Sequence, residues 1–293
     1  MRGRALACLA MGVVAVSWGA PLARLTDAAP LAVAAWRMSL AAGLLLLGRA
    51  AVGAPLVPPS RRGPAVLAGV LLGAHFGSWI PSLWLTSVSA SVVLVSTGPL
   101  FLLLASPFLL GVRITGRNVA SVGLAVAGVA IIARGDYALS PRALAGDALA
   151  LAGAACMAGY LIIGKRLRGE VALGSYLGTV YGVAALLLLG TVAVAGAPLL
   201  PETRLAWLPL VGMAVGPTLV GHSTLNWALA HLEAYQVNLA VLLEPLLATF
   251  WVWLVLGEAP PLHVIPGGVL VLAGLALEFA PQRGGGTVTD RRE

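Results

Sequence analysis

Long apolar stretches alternate with short polar gaps along almost the whole chain. A helix that crosses a bilayer needs about 20 mostly apolar residues, and ten stretches come close to that length. The gaps hold Pro, Gly, Ser and Arg, which end helices and form turns. The pattern therefore predicts an all-α membrane protein with ten transmembrane helices, at roughly 5–22, 29–48, 64–84, 90–110, 117–134, 146–164, 174–196, 205–228, 235–256 and 263–281.

The basic residues in the gaps predict how the helices are oriented. If alternate gaps are grouped from the N-terminus, thirteen Lys and Arg residues fall in the group that includes both chain ends, and four fall in the other. Cytoplasmic loops carry the excess of Lys and Arg, so we expect a multi-pass protein of the cell membrane with both termini in the cytoplasm. The first stretch resembles a secretory signal peptide, but no small-residue cleavage site closes it. We expect it to be retained as the first helix.

Composition supports the membrane assignment and excludes several other classes. Only 10% of the 293 residues are charged and 59% are hydrophobic, too little charge for the surface of a soluble protein. The net charge of +7 is spread over the gaps and forms no basic patch, so we expect no nucleic-acid partner. Cys8 and Cys156 lie far apart in apolar stretches, without metal-ligand spacing. No nucleotide-binding or catalytic motif is present, so we expect no cofactor, no metal and no enzymatic activity.

Two parts of the chain share the spacing of their proline and glycine residues. Residues 88–132 and 234–278 each contain a proline, a glycine 12 residues later and another glycine 17 residues after that. Each half of the chain then has five spans, and an odd number inverts the second half relative to the first. The shared landmarks are Pro99, Gly111 and Gly128 in the first half and Pro245, Gly257 and Gly274 in the second.

This spacing predicts the domain organisation. We expect two inverted five-helix repeats, 1–134 and 146–281, around a central cavity, since inverted repeats of secondary transporters place the substrate site where the repeats meet. The polar remainder, 282–293, is expected to be a disordered cytoplasmic tail.

Short motifs follow one another along the chain: Trp18-Gly19-x-Pro21-x-x-Arg24, Ala35-Trp36-Arg37, Ser89-Ala90-Ser91, Leu243-Glu244-Pro245-Leu246, Leu256-Gly257-Glu258, and the pair Gly268 and Gly274. Taken with ten spans, the set resembles the drug/metabolite transporter superfamily, specifically its EamA type. The resemblance implies a ten-helix bundle whose cavity is lined mainly by spans 1, 3, 4, 6, 8 and 9. Similar proteins export or take up amino acids, other metabolites, nucleotide-related compounds and toxic cations. The chain departs from the family at Leu110-Gly111-Val112-Arg113, where members often have Leu-Gly-Glu.

Several polar and aromatic residues inside the spans are candidates for contacting a substrate. His75 and His222 occupy corresponding spans of the two halves, and Asn226 follows His222 by one helical turn. A buried histidine is also common as a satisfied core residue, and that alternative stays open. Aromatic side chains form walls around organic solutes and cations or else anchor helices at the membrane surface, and the candidates are Trp18, Trp79, Trp84, Tyr160 and Trp227.

Ionisable groups inside spans cost about 2.5–3.5 kcal/mol at a helix centre, so each needs a partner or a wet cavity. Glu244 precedes Pro245, which breaks the helix, and it either couples transport to an ion or satisfies the broken helix. Arg37 either binds an anion or gates the path, or else holds helices together. Arg24 and Glu258 either pair as a gate near the outer ends of spans or are solvated.

These observations favour a secondary transporter that moves a small organic metabolite by alternating access, with export as the expected direction. The solute would be an amino acid, a related metabolite or a drug-like cation. The expected partners are that solute and the lipid bilayer, with pairing into a homodimer left open. A membrane-embedded enzyme acting on lipid is one alternative, although the histidines and acids lack the spacing of a catalytic site. A structural or sensor subunit is the other.

Overall fold

The protein is built from helices joined by short turns. The structure is a computed structural model that describes residues 2–53, 55–86, 88–132, 140–256, 262 and 264–280, and within those ranges no β-strand occurs. The elements are α1 (Arg2–Val16), α2 (Gly19–Arg24), α3 (Pro30–Ala51), α4 (Pro59–Leu85), α5 (Val88–Val95), α6 (Gly98–Leu110), α7 (Gly116–Ile132), α8 (Pro141–Leu167), α9 (Leu173–Ala195), α10 (Trp207–Met213), a π-helix (Ala214–His222), α11 (Ser223–Ala228), α12 (Ala234–Val241), α13 (Glu244–Leu256) and α14 (Val264–Phe279).

Each of the ten predicted spans contains at least one of these helices. Within the described ranges, six segments are long and apolar enough to cross a membrane, and further apolar helices are shorter. The chain is therefore an all-helical, multi-pass membrane protein. Several predictions fall outside the described residues: the ends of the two repeats at 134 and 281, the landmark Gly257, the gate residue Glu258, and the tail 282–293.

Proline and glycine set many of the helix ends. Pro30, Pro59 and Pro141 are the first residues of α3, α4 and α8. Proline is suited to this position because the first N–H groups of a helix have no intrahelical partner. Gly111 and Gly196 follow α6 and α9 with φ of 66° and 60°, the left-handed conformation that closes a helix and favours glycine.

Three predicted spans are interrupted within their length. Ser17–Trp18 separate α1 from α2, Ser96–Thr97 separate α5 from α6, and Leu242–Leu243 separate α12 from α13. In the last two cases a proline, Pro99 or Pro245, is the second residue of the helix that follows. Irregular backbone at membrane depth is tolerated only where it is buried in protein or lines a cavity. The interruptions therefore indicate where a polar interior lies.

The helices pack closely where small residues meet. α7 packs along α14, α3 along α9, and α4 between α8 and α9, while α1 packs on the π-helix and α11. A Cβ added to Gly128 would lie 2.5 Å from the backbone oxygen of Gly267. A Cβ added to Gly274 would lie 2.5 Å from the backbone oxygen of Ser121. Glycine thus lets α7 and α14 approach until their backbones touch.

Large apolar side chains cover the outside of this bundle. Leu47, Phe108 and Val194 are 71%, 87% and 91% exposed. A water-soluble protein rarely exposes so much contiguous apolar surface. In a bilayer the same side chains face lipid, which accounts for the high hydropathy of the chain.

Replacing Gly128 by alanine is expected to lower the melting temperature in detergent, because the new methyl group would overlap the backbone of α14. Overpacking of this kind typically costs about 1–3 kcal/mol. Gly123 is the matched control, since it lies in the same helix and no described atom is within 4 Å of the position of its Cβ. Gly123→Ala should leave the melting temperature unchanged or slightly higher. Equal melting temperatures for the two variants would contradict the close α7–α14 contact.

Candidate functional site

A cavity with several polar residues in a mainly apolar wall lies inside the bundle, next to the interruptions of the helices. Val16 at the end of α1, Ser96 between α5 and α6, and Leu242 between α12 and α13 all line it. Other lining residues come from α3, α4, α5, α8, α11, α12, α13 and the π-helix. The polar lining residues are Arg37, His75, Ser96, His222, Asn238 and Glu244.

Arg37 of α3 reaches the cavity from a buried position, with 1% of its surface exposed. Its Nε donates to the hydroxyl of Thr218 at 2.8 Å, and its guanidinium carbon lies 4.1 Å from the centroid of the Phe76 ring. Both contacts fix the plane of the guanidinium. The Nη1 atom has no hydrogen-bond partner among the described residues. The resemblance does not place span 2 among the main cavity walls, but span 2 contributes a donor and a positive charge through Arg37.

Thr218 is placed for this contact by the π-helix. Its hydroxyl donates to the Met213 carbonyl at 3.0 Å, five residues earlier in the chain. The hydroxyl of Tyr181 on α9 donates to the Thr218 carbonyl at 3.2 Å. π-helical turns are rare and often occur at functional sites. This one ties α3 and α9 to span 8 beside the cavity.

Glu244 is the first residue of α13, directly after the interruption of span 9. A Cβ added to Gly19 would lie 4.0 Å from Glu244 Oε1 and 3.6 Å from Arg37 Nη1, so the two charged groups flank the same glycine of α2. They are not among the ion pairs of the described residues. Opposite charges are therefore presented to the cavity without being paired directly to each other.

Two further donors at the cavity lack partners. Trp79 Nε1 and Asn238 Nδ2 are buried and make no hydrogen bond to described residues, as is the case for Arg37 Nη1. A buried polar group without a partner costs about 1–3 kcal/mol. All three residues line the cavity, but these atoms are buried in its wall, so a polar solute would have to displace part of the wall to supply the missing acceptors.

His75 and His222 line the cavity on either side of Phe76. The ring centroids are 4.7 Å apart for His75 and Phe76 and 5.3 Å apart for His222 and Phe76, both edge-to-face. Nδ1 of His75 lies 2.9 Å from the Gly153 carbonyl oxygen. A carbonyl only accepts, so Nδ1 carries the proton and Nε2 of the neutral ring is an acceptor. In the described part of the chain, no three His, Cys, Asp or Glu side chains converge as metal ligands would.

Tyr160 and Asn226, both predicted to contact a substrate, bind each other beside the cavity. Both are fully buried, and the Asn226 amide donates to the Tyr160 hydroxyl. The same amide nitrogen donates to the His222 carbonyl at 2.8 Å. The one-turn spacing does bring Asn226 next to His222, but the side chain supports the end of the π-helix and is absent from the cavity lining.

The aromatic candidates divide between the cavity and other contacts. Trp79 lines the cavity. Trp18 stacks on Trp251, with ring centroids 4.9 Å apart, and Trp227 packs on His231 at 4.3 Å. These two tryptophans are half-buried and hold neighbouring segments together in this conformation.

Arg24 lies at an exposed helix end, away from the cavity. Its guanidinium carbon is 5.3 Å from the ring centroid of Trp84, and Nη1 donates to the Leu83 carbonyl at 3.4 Å. Arg24 therefore covers the C-terminal end of α4, where a positive charge is favourable. Its predicted gate partner, Glu258, is outside the described residues.

Three residues of the site were not singled out by sequence reasoning: Ser96, Thr218 and Asn238. Thr218 follows Pro217, and a proline inside a predicted helix is a signal of irregular backbone that was available in the sequence. Asn238 is a polar residue in an otherwise apolar span, six residues before Glu244. Nothing in the local sequence marks Ser96 apart from the Gly98-Pro99 pair that follows.

Comparisons with known proteins bear on the family and the fold of the chain. A family model described as the EamA-like transporter family matches residues 1–134 and 144–279. An "Uncharacterized transporter" of Clostridium kluyveri is 28% identical over 206 residues, which cover 68% of this chain and 65% of the relative, just under two thirds of its length. A solved structure described only as the crystal structure of a protein superposes with a TM-score of 0.80 at 20% identity, covering 95% of this chain and 97% of the other. At that identity the likeness concerns the fold.

Replacing Thr218 by valine is expected to destabilise the protein by about 1–3 kcal/mol, because Arg37 Nε would lose its partner in a buried site. Thr218→Ser keeps the hydroxyl and should retain most of the stability. Thr191→Val is the matched control, since Thr191 is an exposed threonine that bonds only the Leu187 carbonyl of its own helix. Thermal unfolding in detergent measures all three. A Thr218→Val variant as stable as the control would show that the contact does not hold Arg37.

Proposed function

Because the chain belongs to the EamA-like transporter family, we propose that it is a secondary transporter that moves a small polar metabolite through the central cavity by alternating access. Export is the proposed direction, and the cell membrane, with both termini in the cytoplasm, is the proposed location. An amino acid, a related metabolite or a drug-like cation is the proposed solute class.

One observation carries this proposal: the cavity wall contains Arg37 and Glu244, which are opposite in charge and form no ion pair with each other. Further hydrogen-bonding groups surround them. Arg37 Nη1, Trp79 Nε1 and Asn238 Nδ2 are donors without partners among the described residues. Glu244 and Nε2 of His75 are acceptors on the same cavity. A solute with an acceptor group at one end and a donor group at the other would satisfy both sets, as a few well-placed polar groups do in most small-molecule sites.

The packing of the helices supports the proposed inverted repeat. Span 5 packs on span 10 (α7 on α14), and span 2 packs on span 7 (α3 on α9). In both pairs a span of the first half contacts the span that corresponds to it in the second half. The contact of span 3 with span 6 (α4 and α8) corresponds to that of span 8 with span 1 (the π-helix and α1). The aligned landmarks Gly128 and Gly274 take reciprocal positions, each against the backbone of the other's helix. Exchanging the two halves thus preserves the main contacts.

Alternating access in such a fold is a rocking of one half against the other around a fixed site. Glu244 lies at the interruption of span 9, where that rocking would change its surroundings. We propose that it binds the coupling proton or the positive end of the solute. Either role requires the carboxylate and would be lost when an amide replaces it.

Flux through the purified protein in proteoliposomes tests the proposal. We expect vesicles containing the protein to release amino acids and other polar metabolites from a loaded mixture, detected by mass spectrometry, faster than protein-free vesicles. Glu244→Gln should reduce that flux roughly tenfold or more, since a hydrogen bond to a charged group contributes about 1.5–3 kcal/mol. Glu202→Gln, at an exposed loop residue, is the matched control and should transport normally. Full, pH-dependent flux through folded Glu244→Gln would reject the role given to Glu244.

The topology is tested separately by tags on the two chain ends. An even number of spans places both tags on one face, and the basic gaps place that face in the cytoplasm. In intact cells neither tag should react with a membrane-impermeant antibody, and both should react after permeabilisation. Tags on opposite faces of the membrane would rule out the proposed arrangement of two inverted five-helix repeats.

A further inference from the structure

Outside the cavity lining, one carboxylate is buried at the C-terminal end of α14. Glu278 is 6% exposed, and its two oxygens accept four hydrogen bonds. Asn118 Nδ2 and Ser121 Oγ donate to Oε2 at 3.0 and 3.1 Å. The Tyr235 hydroxyl and Gln236 Nε2 donate to Oε1, both at 2.9 Å. These five residues are called the Glu278 cluster below.

The cluster joins three helices that are far apart in the chain. Asn118 and Ser121 belong to α7, Glu278 to α14, and Tyr235 and Gln236 to the first turn of α12. α7 and α14 are held together along their length by glycine contacts. α12 contacts α14 much less extensively than α7 does. The bonds of the cluster are therefore a large part of what attaches α12 to this pair.

α12 is also part of the cavity wall. Val237, Asn238 and Val241 line the cavity, and they follow directly after the two residues that bind Glu278. The helix is only eight residues long and ends at the interruption Leu242–Leu243. A short segment with a break at one end and side-chain attachments at the other is suited to swing as a unit.

A second attachment of α12, to α8, is weaker. Lys165 Nζ donates to the Leu232 carbonyl at 2.9 Å and lies 3.6 Å from Glu233 Oε1. Both charged side chains are partly exposed, and such pairs contribute little to stability. The bonds to Glu278 are buried, where a lost partner costs more.

No charged donor holds the Glu278 carboxylate in the described part of the chain. Arg117 lies close by on α7, but it donates to the carbonyls of Leu277, Glu278 and Ala280 and so covers the end of α14.

The four donors to the carboxylate are neutral. If the carboxylate were removed, the Tyr235 hydroxyl and Gln236 Nε2 would lose their acceptor, whereas Asn118 and Ser121 of α7 each have a second acceptor. The polar attachment of α12 to the α7–α14 pair thus depends on one side chain, while the rest of α12 packs on α6 and α1.

We propose that Glu278 is a positioning residue of the transport site: it fastens α12 to the α7–α14 pair and so closes the cavity on the membrane face where α12 begins and α14 ends. Release of the Glu278 cluster lets α12 move and opens the cavity to that face. This inference rests on the proposed transport function, because the cavity is taken to be the transport site.

Cysteine labelling tests the proposal without any knowledge of the solute. Cys8 and Cys156 are first replaced by alanine, and Val241→Cys supplies a single reporter on the cavity side of α12. A membrane-impermeant maleimide is added from either face of oriented vesicles. In Glu278→Ala we expect labelling from the Glu278 face to accelerate roughly tenfold, which corresponds to about 1.4 kcal/mol, with labelling from the other face unchanged. Glu278→Gln should show the same change, because its amide NH2 would face groups of the cluster that donate hydrogen bonds. This variant replaces Glu278→Ala if the alanine variant does not fold.

Gly128→Ala is the matched control, because it loosens the α7–α14 pair at a position outside the cluster. It should lower the melting temperature and leave the labelling rate of the reporter unchanged. Unchanged labelling in both Glu278 variants would overturn the proposal, even if their melting temperatures fall. Equal acceleration in Gly128→Ala, or acceleration from both faces, would also overturn it, since a general loosening would then suffice.

The labelling result is independent of the flux result. If no metabolite moves through the purified protein but the Glu278 variants open one face, the proposed transport function fails while the positioning role stands. If flux is found and the labelling does not change, the positioning role of Glu278 fails by itself.

Discussion

The buried charge of Arg37 is the constraint around which the centre of this protein is organised. The bilayer core offers no water to a guanidinium, so the protein has to supply every partner. It supplies a hydroxyl at Nε and an aromatic face beneath the guanidinium plane, while Nη1 is buried without a partner among the described residues. The hydroxyl of Thr218 is placed by the π-helix, and Arg37 itself lies in the cavity wall. Under the proposed function, the arrangement that holds this charge in the membrane is also the one that presents it to a solute.

The interrupted helices follow from the same lack of water. Each interruption frees backbone carbonyls, and these need donors inside the protein. The hydroxyls of Ser17 and Thr97 donate to the carbonyls of Val14 and Leu94, three residues earlier in each case, at 2.7 and 2.6 Å. The Ser17 hydroxyl also accepts from Trp251 Nε1 at 2.8 Å. Two of the three breaks therefore carry a local hydroxyl that donates to a backbone carbonyl, beside a cavity that polar side chains line.

Hydropathy alone located the spans, because each long apolar stretch in this chain contains one or more helices. The break at Pro245 was also predictable, since a proline inside a helix removes a hydrogen bond. Side-chain directions were not: Asn226 was expected to face a solute, and its amide bonds the Tyr160 hydroxyl instead. A spacing of one turn fixes which residues share a helix face, but not which neighbour competes for their hydrogen bonds. The buried role of Glu278 was not predicted from the sequence, because its partners Asn118 and Tyr235 lie on helices that are distant in the chain.

The two halves of the proposed inverted repeat match in their helix contacts but differ in the residues proposed to close a face of the cavity. In the alignment that pairs Pro99 with Pro245, Glu278 corresponds to Ile132, and Tyr235 and Gln236 correspond to Ser89 and Ala90. The counterparts in the first half therefore contain no carboxylate to fasten the matching helix. After Gly111 that half has Val112, whereas the second half has Glu258 after Gly257. If access alternates as proposed, one fastened face would make the two conformations unequal in stability, and the difference would give the transport cycle a preferred resting side.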